Sequence, residues 1–216
     1  MIPDIFINDI SMLKMGWIRE NIDFPTPKSQ SETVIIPGRN SPIRFTEALG
    51  LVSYEPRTFT ILLSMLGTRA NYNKLVKECS NQFSGRLAKV ICSEEPSLYY
   101  VGTLELKPSY DPLTGRGELV IECVDADSYR YHVDVTEVMI SGNGTITLLN
   151  DYMPVVPTVV TTAETLLSWK IGMDSFQKTV SDGTWEIPEL QLSHGENSIK
   201  VTSVGTTTFS YREGCL

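Results

Sequence analysis

Histidine is nearly absent from this chain, and so are the sequence motifs of the common enzyme active sites. The two histidines, His132 and His194, lie 62 positions apart, and neither has a His or Cys neighbour at zinc-ligand spacing. No GxSxG, HExxH, P-loop or dinucleotide-binding glycine motif occurs. Asp125 and Asp127 are close enough to serve a hard cation, but the register of an EF-hand loop is missing. The sequence therefore predicts no catalytic residue, no metal site and no cofactor.

Basic clusters, long apolar runs and a cysteine framework are missing as well. Lys and Arg number 18 against 26 Asp and Glu, for a net charge of −8, which argues against a protein that reads DNA sequence. No stretch approaches the roughly 18 apolar residues of a membrane helix, and the first residues lack the basic region of a signal peptide. The spacings between Cys79, Cys92, Cys123 and Cys215 fit neither a zinc pattern nor a dense disulfide framework. Thiols in a reducing compartment are the better interpretation.

What the chain does contain is a succession of short apolar and β-branched runs. The runs at 33–37 and 59–66 are apolar enough to predict core strands. One helix is predicted from apolar residues three and four positions apart, with Thr68 as its N-cap and Gly85 just beyond its end. The Pro-, Asp- and Gly-rich segment 108–117 predicts a long hairpin loop. Further strands are predicted at 5–11, with a turn at Asn8-Asp9, and at 86–92, 98–106 and 117–125.

The composition changes near residue 136, where charges thin out and Thr, Val, Ser and Gly become more frequent. We therefore expect two domains, residues 1–138 and residues 139–216. The first is predicted to be an α+β layer, one helix lying across antiparallel strands. In the second, six short runs separated by turn residues predict a small β-sandwich, so the chain as a whole is mainly β.

Two tryptophans in the C-terminal half, Trp169 and Trp185, are candidate surface aromatics. An exposed tryptophan can stack on a sugar ring, which would make these residues part of a glycan site. A tryptophan on a sandwich strand is more often a core residue, and that interpretation is favoured for each.

Several segments in order resemble the distal tail protein (Dit) family of long-tailed, non-contractile bacteriophages. The most specific are Ile36-Pro37-Gly38-Arg39, then Thr46-Glu47-Ala48-Leu49, then Tyr54-Glu55-Pro56-Arg57-Thr58. The C-terminal segment LSHGENSIKVTSVGTTTFSYREGCL is similar to the end of that family's sequences. The likeness spans most of the chain and is strongest over 5–130.

The resemblance implies a structural protein and not an enzyme. Family members have an N-terminal β-sandwich with a helix, related to tail-tube proteins, and a C-terminal domain that is usually galectin-like. Six copies form a ring at the phage tail tip, and the genome passes through its lumen. The implied partners are other copies of the chain, the tail-tube protein, a tail-tip protein and a receptor-binding protein. The implied location is the virion, after assembly in the bacterial cytoplasm.

On this interpretation Arg39, Arg44 and Arg57 are candidates for a contact between neighbouring subunits of the ring. A guanidinium suits bidentate pairing with a carboxylate, and a ring brings different patches of identical subunits together. The alternative is that these arginines brace loops within their own subunit.

Two other functions remain open at this point. The β-rich C-terminal half with its tryptophans would also suit a carbohydrate- or receptor-binding module of a phage baseplate. A hydrolase with an unrecognised carboxylate pair has the least support, and it stays open because such a pair is defined in space and not in sequence.

Overall fold

The computed structural model describes residues 2–35, 37–38, 40–41, 43–45 and 52–216. Contacts between residues divide the chain into two compact units, which we call unit 1 (Met1–Arg130) and unit 2 (Tyr131–Leu216). Each unit has its own hydrophobic core. Both are mainly β.

Within the described residues the helices are α1 (Met12–Met15) and α2 (Arg69–Phe83). The strands are β1 (Ile5–Ile7), β2 (Ile10–Ser11), β3 (Ile18–Asp23), β4 (Glu32–Val34), β5 (Ile43–Phe45), β6 (Arg57–Leu66), β7 (Leu87–Cys92), β8 (Leu98–Thr103), β9 (Glu105–Asp111), β10 (Arg116–Ala126), β11 (Arg130–His132), β12 (Thr136–Ser141), β13 (Gly144–Asn150), β14 (Thr158–Thr161), β15 (Thr165–Ile171), β16 (Asp174–Val180), β17 (Gly183–Glu186), β18 (Gly195–Ser203), β19 (Thr206–Tyr211) and β20 (Gly214–Cys215).

Unit 1 is a β-sandwich with a helix packed on it. One layer contains the antiparallel strands β2-β1-β7-β8, and the other is a four-stranded sheet in the order β3-β6-β10-β9. Between them lies a core of aliphatic and aromatic side chains in which Ile5, Ile61 and Ile121 are fully buried. Helix α2 adds Tyr72 and Phe83 to this core.

Several local predictions for unit 1 are confirmed. Asn8 and Asp9 form the tight turn between β1 and β2, with φ of 48° and 65°. Helix α2 begins after Thr68, whose side chain accepts a hydrogen bond from the Asn71 amide. It ends just before Gly85, where φ is 68°, a value that glycine tolerates without strain.

The start of the chain is fastened by one buried carboxylate, that of Asp4. It accepts hydrogen bonds from the Ile5 amide at 2.7 Å, the Leu13 amide at 3.0 Å and the Ser11 hydroxyl at 2.5 Å. Ser11 in turn caps helix α1 by accepting from the Lys14 amide. This network satisfies amides that would otherwise be left without a partner at a helix start.

Two further contacts fix elements of unit 1 against each other. The Tyr72 ring lies over Gly117 of β10, so closely that a Cβ at that position would be 2.2 Å from Tyr72 Cδ2. The Arg19 guanidinium forms a bidentate pair with the Glu94 carboxylate, with Nη1 2.7 Å from Oε2. The hydrogen bond from Arg19 lowers the pKa of Glu94 to about 2.

The structure corrects three expectations for unit 1. The run at 33–37 is not a core strand where it is described: Val34 is 48% and Ile35 79% exposed, and β4 pairs with β5 as a separate two-stranded ribbon. The segment 98–106 is not one strand, because the chain passes from one sheet of the sandwich to the other at the buried Leu104. The predicted loop at 108–117 is shorter, since β9 continues to Asp111 and β10 starts at Arg116.

Unit 2 is a sandwich of two four-stranded antiparallel sheets, β12-β19-β14-β17 and β13-β18-β15-β16. Buried side chains alternate along the strands, as in Leu167 and Trp169 of β15, and meet between the sheets. Strand β12, which begins at Thr136, pairs along its length with β19. The two units divide after Arg130, eight residues before the boundary that the sequence predicted after residue 138.

Candidate functional site

The solvent-facing side of the sheet β3-β6-β10-β9 in unit 1 is strongly acidic. Alternation along β10 buries Leu119 and Ile121 and turns Glu118 and Glu122 outward. The register brings Glu105 of β9 beside Glu122. The carboxylates of what we call the acidic face are those of Glu20, Asp23, Glu105, Asp111, Glu118 and Glu122.

Only two basic side chains, Lys107 and Arg116, accompany these six carboxylates among the described residues of the acidic face. Lys107 pairs with Glu122 at 2.5 Å. Arg116 lies 2.5 Å from Glu20 and 3.0 Å from Glu118. The face therefore keeps an excess of negative charge after pairing. Such a surface repels the phosphates of a nucleic acid and does not retain them.

The acidic face was not identified from the sequence, although part of its signal is visible there. The run GELVIECVD places Glu118 and Glu122 out of phase with Leu119 and Ile121, which predicts two glutamates on one side of a strand. Glu20, Glu105 and Asp111 join them only through pairing of β3, β6, β10 and β9, and that pairing is a long-range property.

Of the three arginines predicted at a subunit contact or loop brace, Arg57 is fully described. It is 3% exposed, it donates to the Ser128 carbonyl at 3.0 Å, and its guanidinium lies 5.3 Å from the centre of the Tyr100 ring. In the single chain it thus ties the start of β6 to the segment after β10. Arg39 lies outside the described residues. Arg44 pairs with Thr33 between β4 and β5, and its side chain lies outside the described part.

The two candidate surface tryptophans have different environments. Trp169 is 6% exposed in the core of unit 2, stacks on Phe176 with ring centres 5.8 Å apart, and donates from Nε1 to the Glu189 carbonyl at 3.0 Å. Trp185 is 38% exposed on the edge strand β17, and its Nε1 donates to the Ser181 carbonyl. The structure does not bring the two together on one surface: Trp169 belongs to a different sheet from Trp185.

The thiols of unit 1 are expected to be unreactive at neutral pH. Burial raises the pKa of Cys79, Cys92 and Cys123 to about 11 in each case, so all three stay protonated at neutral pH. Within the described residues no group of three or more His, Cys, Asp or Glu side chains is arranged to hold a metal ion. In that same part of the chain, no helix has the length and apolar character needed to cross a membrane.

Both histidines of the chain converge on Asp151 in unit 2. His132 Nε2 lies 3.0 Å from the Asp151 carboxylate, and His194 Nδ1 contacts the Asp151 carbonyl. The neighbouring Tyr152 and Met153 amides donate to the Gly214 carbonyl. The histidines thus fasten three separate segments of the unit together, which accounts for them without catalysis or metal binding.

No protein-family model matches the chain, and no curated protein sequence matches it. The crystal structure of SPP1 Dit (gp 19.1), a paradigm of hub adsorption apparatus in phages that infect Gram-positive bacteria, matches over 100% of both chains. The TM-score is 0.71 and the sequence identity 12%. The similarity runs through both units, and the protein has the Dit fold.

Proposed function

We propose that this protein is a structural component of a phage tail, a distal tail hub whose copies form a hexameric ring between the tail tube and the baseplate or tail fibre. The observation that carries the proposal is the structural match to a Dit protein over the whole length of both chains. The resemblance of the motifs around Pro37-Gly38, Tyr54 and Arg57 supports the same family independently.

The acidic face supports passage of DNA through the ring. For this face to line a channel, neighbouring copies must meet along the two edges of its sheet, β3 of one copy and β9 of the next. Edge strands present backbone N–H and C=O groups that a neighbour can pair with. Pro108 removes one donor from the β9 edge, so side chains must supply part of the contact.

Because β3 and β9 are different surfaces, a contact between them is heterologous, and repetition of a heterologous contact closes a ring when the rotation permits it. The lumen of this ring would carry the acidic face of every copy. A negatively charged wall repels DNA phosphates, which lets the genome slide through without binding.

The same proposal assigns the remaining partners and the location. Unit 1 would stack on the tail-tube protein on one side and a tail-tip protein on the other. Unit 2, as a galectin-like domain, would project outward toward a receptor-binding protein. The protein would act in the virion at the tail tip, after assembly in the host cytoplasm. This is an assembly role, and it requires no catalytic residue.

Native mass spectrometry of the purified full chain tests the proposal. We expect a species of about six times 24.1 kDa that dissociates when edge-strand backbone pairing is blocked. The blocking variant is Asn21→Pro in β3, and Asn73→Asp on the exposed side of α2 is the control. Because Asn21 also pairs with Leu62 of β6, thermal unfolding checks that the proline variant stays folded. A six-fold species that survives Asn21→Pro would contradict the edge-to-edge arrangement. A chain that stays monomeric at every accessible concentration, alone and with its tail-tube protein, would contradict the ring.

A further inference from the structure

A groove of about 670 Å³ opens on the solvent-facing side of the sheet β13-β18-β15-β16 in unit 2. Its size is that of a small-ligand site. The strand register arranges its polar side chains in two adjacent rows, Thr145-Lys200-Ser168-Gln177 and Lys170-Ser175. Trp169 and Phe176 also border it, but their stacked rings lie on the core side of the sheet.

Five polar side chains of this groove have no side-chain partner in the described part of the chain. Lys170, Lys200, Ser168, Gln177 and Ser175 have no side-chain hydrogen bond or ion pair to any described residue. Some buried hydroxyl groups of unit 2, by contrast, are hydrogen-bonded within the chain.

Thr161, for example, donates to the Ser181 carbonyl at 2.7 Å, and Thr165 donates to the Ser203 hydroxyl at 2.9 Å. The third lysine of the unit, Lys178, lies 3.7 Å from Glu189 and does not line the groove. The groove thus concentrates hydrogen-bonding groups that are available to a ligand.

The chemistry of the lining defines the ligand. Hydroxyl and amide groups both donate and accept, which suits a chain of hydroxyl groups better than an apolar molecule. Lys170 and Lys200 supply two positive charges against the single carboxylate of Glu196, so an anionic group is favoured at the lysines. The Glu196 carboxylate can accept hydrogen bonds from hydroxyl groups.

We propose that this groove binds a polyhydroxylated chain that carries anionic groups, an acidic glycan or a polyol phosphate. The site lies wholly in unit 2 and does not depend on ring formation, so its failure and the failure of the hub proposal are distinguishable. It also differs from a glycan-stacking site at the tryptophans, because the Trp169 ring is buried and polar side chains make the contacts.

Isothermal titration of the full chain with four probes tests the site: oligogalacturonate, a glycerol-phosphate oligomer, a neutral malto-oligosaccharide and inorganic polyphosphate. We expect one or both of the first two to bind more tightly than the last two. Whichever of the two binds identifies carboxylate or phosphate as the anionic group. Lys170→Gln and Lys200→Gln should each weaken that binding by roughly two- to fivefold, as for loss of an exposed charge pair.

Lys178→Gln is the matched control and should leave the affinity unchanged. Thermal unfolding of each variant checks that the fold is retained, as expected for side chains on the solvent side of a sheet. Binding of polyphosphate or of the neutral sugar as tight as that of the anionic polyols would overturn the proposed ligand class. Absence of binding by both anionic polyols, or an equal loss in Lys178→Gln, would overturn the site.

Discussion

Replacement of Arg57 by methionine should lower the free energy of unfolding of unit 1 by about 3 kcal/mol, within a range of roughly 2–5. The buried guanidinium donates to the Ser128 carbonyl and lies over the Tyr100 ring. A hydrogen bond from a charged group contributes about 1.5–3 kcal/mol, and a desolvated cation–π contact about 2. Methionine keeps much of the apolar volume, so the two contributions do not add in full.

Amide hydrogen exchange in β6 and β10, the central strands of unit 1, measures this change as a loss of protection. Arg69→Met is the matched control, because Arg69 lies 5.1 Å from the Tyr110 ring centre but is exposed. Loss of the Arg69 guanidinium should lower the free energy of unfolding by less than about 1 kcal/mol. Equal, small losses in the two variants would refute the bracing role of Arg57. If a purified Arg57→Met chain kept its stability but lost its ring, Arg57 would belong to the subunit contact.

Four further changes have defined outcomes. Asp4→Asn should destabilise unit 1 by about 1–3 kcal/mol in denaturant unfolding, because an amide replaces one acceptor oxygen of a buried network. Glu94→Gln should remove one contribution to the pH dependence of the free energy of unfolding. The pKa of Glu94 is lowered from 4.5 to about 2 in the folded chain, so its ionised carboxylate stabilises the fold above pH 4.5. That stabilisation is lost as the pH falls toward 2. Because the Glu94 side chain is 51% exposed, this contribution to the free energy of unfolding should be less than about 1 kcal/mol in unfolding scans across this pH range. Gly117→Ala should cost about 1–3 kcal/mol in thermal unfolding and weaken α2 protection, because its Cβ would overlap the tyrosine ring above it. The double change Glu118→Lys and Glu122→Lys should neutralise the acidic face, because its six carboxylates and two basic side chains become four of each, and should raise salt-sensitive retention of duplex DNA in a mobility-shift assay above that of the unmodified chain.

The parts of the fold that depend on neighbours in sequence could be predicted from the sequence. Helix α2 is such a case, because its cap at Thr68, its apolar stripe and its terminal Gly85 all act within a few residues of one another. The turn at Asn8-Asp9 is another, since two positive φ angles in succession suit these residue types.

The parts that depend on distant partners could not be predicted. Nothing near Leu104 shows that the chain changes sheets there, because the change follows from which strands β8 and β9 pair with. Val34 and Ile35 have the composition of a core strand, yet no layer of the described unit covers them. The burial of Arg57 likewise depends on Tyr100 and Ser128, which are remote in sequence.

The candidate site divides in the same way. The likeness to Dit proteins was visible in short motifs, and the structural match extends it to the fold of both units. The acidic face and the polar groove of unit 2 arise from strand register, which places Glu105 beside Glu122 and Lys200 beside Ser168. Strand register follows from the burial of one face of each sheet, so it cannot be predicted from the sequence of a single strand.

Electron cryo-microscopy of the assembled particle tests the central claim most directly. The account predicts a six-membered ring with an open centre, in which Glu118 and Glu122 of every copy face the lumen and β3 of one copy meets β9 of the next. A closed particle, or a ring whose lumen is lined by another surface of unit 1, would contradict it.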